Sequence, residues 1–199
     1  MKLTVILLCL LLSEISYGQR WTETKHQDFS VITNPGGQNL GYSPTSGIKI
    51  LTVDGLAFKD LNRNGTLDKY EDWRLTADVR AKDLATKLTV EQIAGLMLYS
   101  GHQSIPAGAT GFRAGTYNGK KISEGGALSS DVTDQQKTFL TNDNLRHVLI
   151  TSVESPEVAA KWNNNVQALV EGLGYGVPVN TSSDPRHGAQ GKVEYTEGG

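Results

Sequence analysis

Sulfur chemistry is nearly absent from these 199 residues: there is one cysteine, Cys9, and there are two methionines. One thiol excludes a disulfide framework, and a lone Cys with no spaced partner excludes a thiolate metal site. Strong charge of either sign is missing too, with 19 Lys+Arg against 21 Asp+Glu and a formal net charge of −2. A chain so near neutral has no electrostatic footprint for nucleic acid or an anionic membrane surface. Beyond residue 12 no long apolar run occurs, so no membrane span is expected there. No internal repeat is visible.

What is present begins with a leader. Met1-Lys2 carries one positive charge, and Leu3 to Leu12 is apolar apart from one Thr. Ser16 and Gly18 then place small residues at −3 and −1 of a cleavage point before Gln19. This is the layout of a secretory signal peptide over residues 1–18. Its apolar stretch rises only about 15 Å as a helix, half the hydrocarbon thickness, and so does not read as a membrane anchor. The mature chain is expected to be secreted or periplasmic, and it contains no cysteine, because Cys9 leaves with the leader.

Residues 19–59 read as an irregular, Gly/Asn/Ser-rich N-terminal arm that ends in a small hairpin, Ile48–Val53 and Leu56–Phe58 about an Asp54-Gly55 turn. Apolar spacing predicts a helix from Trp73 to Leu88 and a second one capped by Thr89, with Ile93, Leu96 and Met97 inward. Residues 101–130 read as a long Gly/Ser-rich insertion without strand or helix, followed by a short helix from Thr133 to Leu140. His147–Thr151 reads as a buried strand and Ser155-Pro156 as the capped start of a helix ending at Gly172 or Gly174. Trp162 sits on that helix's apolar face and is expected in the core. Val177–Thr181 reads as a second strand, so the pair should be parallel in a βαβ unit.

Two segments carry chemistry. Within residues 60–72, the stretch Asp60 to Glu71 fits a twelve-residue calcium loop position for position. Asp60, Asn62, Asn64 and Asp68 supply oxygen side chains, and Thr66 supplies its carbonyl. Gly65 permits the turn, and Glu71 closes the set with two oxygens. Ca²⁺ takes six to eight oxygens at once, and this spacing wraps them round one point. A strand rather than a helix precedes it, so a lone EF-hand-like loop is expected, acting as a structural staple. His26 and His147 have no spaced partners for a metal site, and His102, in a polar loop after Leu98-Tyr99, reads as an ordinary loop residue, the alternative being a place in the cleft.

The second segment, Val177-Pro178-Val179-Asn180-Thr181-Ser182-Ser183-Asp184-Pro185-Arg186-His187-Gly188, puts Asp184, Arg186 and His187 just past a parallel strand's C-terminal end, where ligands bind in α/β folds. Asp184 is placed to accept two sugar hydroxyls. Together with Leu88-Thr89-Val90-Glu91-Gln92-Ile93-Ala94-Gly95-Leu96-Met97, this motif resembles the N-terminal part of glycoside hydrolase family 3, the β-glucosidase-like enzymes. The Ser182-Ser183 and Pro185-Arg186 choices and the 101–130 insertion depart from the commonest pattern.

The resemblance implies an α/β fold in which residues 73–199 start a (β/α)₈ TIM-like barrel. At 199 residues the chain is short of the roughly 250 that such a barrel needs, so the barrel is expected to be incomplete. It implies a carbohydrate substrate, a β-glycoside or oligosaccharide. Asp184, Arg186 and His187 then line the substrate, and a retaining two-carboxylate mechanism follows whose catalytic residues lie beyond Gly199, in the remainder of the same polypeptide. The competing reading is a calcium-stabilised extracellular carbohydrate-binding module without chemistry of its own.

Overall fold

The structure, a computed structural model, describes residues 18–107 and 115–183. Among these the chain is mixed α/β, with four α-helices and four small sheets.

The segment expected to be an irregular arm is more regular than that. Strands β1 (Thr22–Lys25), β2 (Ser30–Thr33) and β3 (Leu40–Tyr42) form an antiparallel sheet, followed by a 3₁₀ turn at Pro44–Ser46. Strands of three or four residues are too short for an alternating pattern to show, and only pairing reveals them. The expected hairpin is present as β4 (Lys49–Val53) and β5 (Leu56–Asp60). Its turn holds Asp54 at φ 54 and Gly55 at φ 78, the two positive values that a two-residue hairpin loop requires. Asn34 joins the two sheets: its Oδ1 accepts from Ala57 N (2.7 Å) and its Nδ2 donates to Ala57 O (3.2 Å). Ile32, Leu40 and Ala57 are the buried centre of this unit.

The first long helix starts later than its apolar spacing suggested. Thr76 caps it, and α1 runs Ala77–Lys87. Trp73 lies outside the helix because its ring has a better partner. It stacks on Phe58 at 5.2 Å, and its Nε1 donates to Ala57 O (3.0 Å). Helix α2, Val90–Leu96, has the expected capping box between Thr89 and Gln92. Its inner face is not the expected one, since Met97 is 83% exposed and Ile93 is exposed as well. The buried residue is Gly95, packed so closely on the Asp143–Asn144 backbone that a Cβ there would meet Asp143 O at 2.5 Å. Backbone contact of this kind leaves no hydrophobic pattern to read.

The region expected to lack strands contributes one to the main sheet. Strand β6 (Gln103–Ile105) pairs parallel with β9 (His147–Val153), and β9 pairs parallel with β10 (Asn180–Ser183). A small hairpin, β7 (Thr116–Tyr117) and β8 (Lys120–Lys121), and helix α3 (Asp134–Thr141) lie between β6 and β9. Helix α4 (Pro156–Glu171) connects β9 to β10, capped as expected by Ser155, whose Oγ accepts from Val158 N at 3.2 Å. No closed barrel is formed among the described residues; β6 and β10 are the edges of this sheet.

Strand β10 begins at Asn180, three residues after the expected Val177. Pro178 has no N–H for a ladder. Val179 instead exchanges hydrogen bonds with the Gln167 side chain, N to Oε1 at 3.2 Å and O from Nε2 at 2.8 Å. Trp162, Val166 and Val170 of α4 pack with Ile105, Val148, Leu140 and Val179 in the larger core.

Candidate functional site

The loop between β5 and α1 is folded around its own donors. Asp60 is fully buried, with Oδ1 accepting from Asn64 N (3.0 Å) and Oδ2 from Gly65 N (3.0 Å). Gly65 sits at φ 78, the left-handed region its place in the turn demands. Asn62 and Asn64 both donate through Nδ2 to Asp68 Oδ2, at 2.7 and 2.8 Å. The Asn64 Oδ1 accepts from Thr66 N (2.8 Å).

Glu71 is turned inward: Oε1 accepts from Leu61 N, Asn62 N and the Tyr70 hydroxyl, and Oε2 from Asp68 N. Burial pushes its carboxyl above the usual range against those four donors. The positive charge facing this loop is Lys87 at the end of α1, 2.8 Å from Asp68 Oδ1. Burial raises the Asp68 carboxyl, but hydrogen bonds from Lys87, Asn62 and Asn64 outweigh that and hold it below its ordinary value.

Hydrogen bonds link Asp60, Asn62, Asn64, Thr66, Asp68 and Glu71 within the loop, and oxygen-bearing side chains of these types suit a hard cation. The side chains, however, point at N–H groups and Lys87. Among the described residues, no three His, Cys, Asp or Glu side chains form a metal-holding group.

The loop is also tied to the far end of the fold, through residues that the sequence did not single out. Lys59 Nζ donates to Glu171 Oε1 (2.6 Å), and Glu171 Oε2 accepts from Ser43 N (2.9 Å). Arg63 Nη2 donates to Gly172 O (2.7 Å). A signal for this existed in the chain. An acidic residue in the last turn of a helix opposes the helix dipole, so Glu171 needed a cationic partner elsewhere.

The second candidate region is the carboxyl ends of β6, β9 and β10. Parallel pairing brings Ile105, Val153 and Ser183 to one edge of the sheet, with Ser183 in register with Ile150. Asp184 follows Ser183 in sequence. Asp184, Arg186 and His187 all lie outside the described residues, as does the leader through residue 17. His102 and His147 stand at the opposite, amino-terminal ends of β6 and β9. His147 stacks with Tyr99 at 6.3 Å, and Tyr99 in turn hydrogen-bonds Ser182. His26 stacks on Phe29 at 4.4 Å.

Known proteins add the deciding observation. Over 150 residues, 75% of the chain, the sequence is 37% identical to a periplasmic beta-glucosidase/beta-xylosidase of Dickeya chrysanthemi. The chain resembles the N-terminal portion of a family 3 glycoside hydrolase. A beta-glucosidase C of Emericella nidulans is 24% identical over 138 residues, 67% of the chain. This glycoside-hydrolase-like chain spans about one fifth of these relatives, 20% of the first and 19% of the second. No protein-family model matches it. No helix among its described residues is long and apolar enough to cross a membrane.

Proposed function

We propose that the polypeptide to which these residues belong is a secreted glycoside hydrolase that releases terminal, non-reducing β-linked sugars, glucosyl or xylosyl. The observation that carries this reading is the 37% identity, over three quarters of the chain, to a periplasmic beta-glucosidase/beta-xylosidase. The strand–helix–strand order supports it, because β6-α3-β9-α4-β10 with all three strands parallel is how a (β/α)₈ barrel starts. Secretion is supported by the leader pattern over residues 1–18.

On this reading the carboxyl ends of β6, β9 and β10 face the sugar. Asp184 accepts hydrogen bonds from two hydroxyls, and Arg186 and His187 bind alongside it. Charge-assisted hydrogen bonds of this kind grip the ring while an oxocarbenium-like transition state develops at its anomeric carbon. The nucleophile and the acid/base belong to sequence beyond residue 199. They lie about 5–5.5 Å apart in an enzyme that retains configuration through a glycosyl–enzyme intermediate. The purified full-length protein, given aryl β-glucoside and aryl β-xyloside, is expected to release the β-anomer first, read by proton NMR. First release of the α-anomer, or no turnover of either glycoside, would refute the reading.

Calcium is part of the same proposal. Asp60, Asn62, Asn64, Asp68, Glu71 and the Thr66 carbonyl would hold Ca²⁺ as a staple for a mature chain without disulfides. The spacing of the six residues supports this. A rotation of either Asn amide presents oxygen where nitrogen now points, while Lys87 and Glu71 have to give up their present partners. An ion that binds only the folded state stabilises it by mass action. Melting curves in millimolar Ca²⁺ are therefore expected to lie above those in chelator, and in Glu71→Gln the two curves should coincide. Superimposable wild-type curves would remove calcium from the account.

A further inference from the structure

At the amino-terminal ends of β9 and β10 the structure has a cavity of about 240 Å³. Its lining is mixed, polar and apolar, and includes Leu88, Gln92 and Leu96 from the α2 side, Leu173 and Val177 from the α4–β10 connection, and Arg146. Arg146 is 6% exposed and carries a charge that nothing nearby balances. Its Nε donates to Val177 O (3.0 Å), and its Nη1 to Leu140 O (2.7 Å) and Leu145 O (2.8 Å). All three partners are neutral carbonyls. Among the described residues no carboxylate forms an ion pair with Arg146.

Nη2 has no partner there either. Every buried side-chain nitrogen or oxygen among these residues is hydrogen-bonded, so Nη2 is the part of the guanidinium left accessible, and the space Arg146 lines is this cavity. Desolvation of the charged form pushes the guanidinium below its ordinary pKa. Arginine nonetheless stays protonated in proteins, so the positive charge remains. A buried cation answered only by carbonyl dipoles is costly, and an anion placed against it relieves that cost.

We propose that this cavity binds a small free organic carboxylate, its carboxylate on Arg146 Nη2 and its short apolar tail against Leu88, Leu96, Leu173 and Val177. A neutral sugar would leave the charge unanswered. A phosphate would bring a doubly charged group against one guanidinium nitrogen and would waste the leucine wall. The site lies at the opposite ends of the strands from Ser183, and it does not depend on the sugar-cleaving reading.

The test is a protein-observed ¹H–¹⁵N NMR titration of the whole chain with acetate, 4-methylpentanoate, the neutral 4-methylpentan-1-ol and inorganic phosphate. The expected result is saturable binding of 4-methylpentanoate, at least about tenfold tighter than acetate because its added carbons are buried. The alcohol and phosphate should not saturate. Arg146→Gln should abolish binding, but it also strips donors from three carbonyls and can unfold the chain. Leu96→Trp is the second variant: it fills the cavity, keeps Arg146, and should weaken 4-methylpentanoate at least tenfold with its melting curve retained. Failure of 4-methylpentanoate to saturate at about 50 mM, above the millimolar range open to so small a ligand, would overturn the proposal. So would equal affinity for the alcohol, or unchanged affinity in Leu96→Trp.

Discussion

Trp162→Ala is expected to destabilise the chain by about 3–5 kcal/mol, among the largest losses a single core residue causes. Trp162 is 1% exposed and is the largest fully buried side chain among the described residues. Its ring fills the space between α4 and the parallel sheet, and its Nε1 donates to Gln136 Oε1 at 3.2 Å. Gln136 is buried, completes the capping box of α3, and donates through Nε2 to Gln103 Oε1 in β6 at 3.3 Å. Truncation therefore opens a cavity and loosens the link from α4 through α3 to β6. For a chain of this size the loss corresponds to a melting point lower by about 6–20 °C. Leu128→Ala, which removes a side chain 70% exposed, is the control and should melt within error of the wild type. A shift for Trp162→Ala no larger than the control's would show that the sheet does not depend on α4 for its core.

In the full-length enzyme proposed above, Asp184→Ala is expected to lower kcat/KM at least about a hundredfold. Two sugar hydroxyls would face a methyl group in place of a charged acceptor. Each charge-assisted hydrogen bond contributes about 1.5–3 kcal/mol. If the bonds strengthen as charge develops in the ring, kcat falls along with kcat/KM; a loss confined to KM would mean that they hold ground state and transition state equally. Kinetics within threefold of wild type on an aryl β-glycoside would remove Asp184 from the sugar site.

Features set by neighbours in the chain were legible without the fold. The capping box at Thr89, the Ser155-Pro156 helix start and the Asp54-Gly55 turn all form as expected, because each is a contact between residues a few positions apart. The 3.6-residue spacing on α4 likewise marked Trp162 as core, where it packs with Val166 and Val170. The turn at Gly65 was legible for the same reason, and Gly65 sits at φ 78.

What spans long separations was decided by tertiary structure alone. Strand β6 is three residues with no pattern of its own, and it is a strand because β9 lies beside it. The exposed Met97 and the buried Gly95 reverse the expected face of α2, because the Asp143–Asn144 backbone sits where a hydrophobic partner was anticipated. Asp68 has Lys87 across from it, and Glu171 meets Lys59, 112 positions away. Arg146 reads in sequence as one more surface charge before a strand. Only the closing of α2, α3 and the α4–β10 connection around it buries that charge beside a cavity. Burial and counter-charge depend on which surfaces meet in three dimensions, and a one-dimensional pattern of residue types carries that information only where the meeting is local.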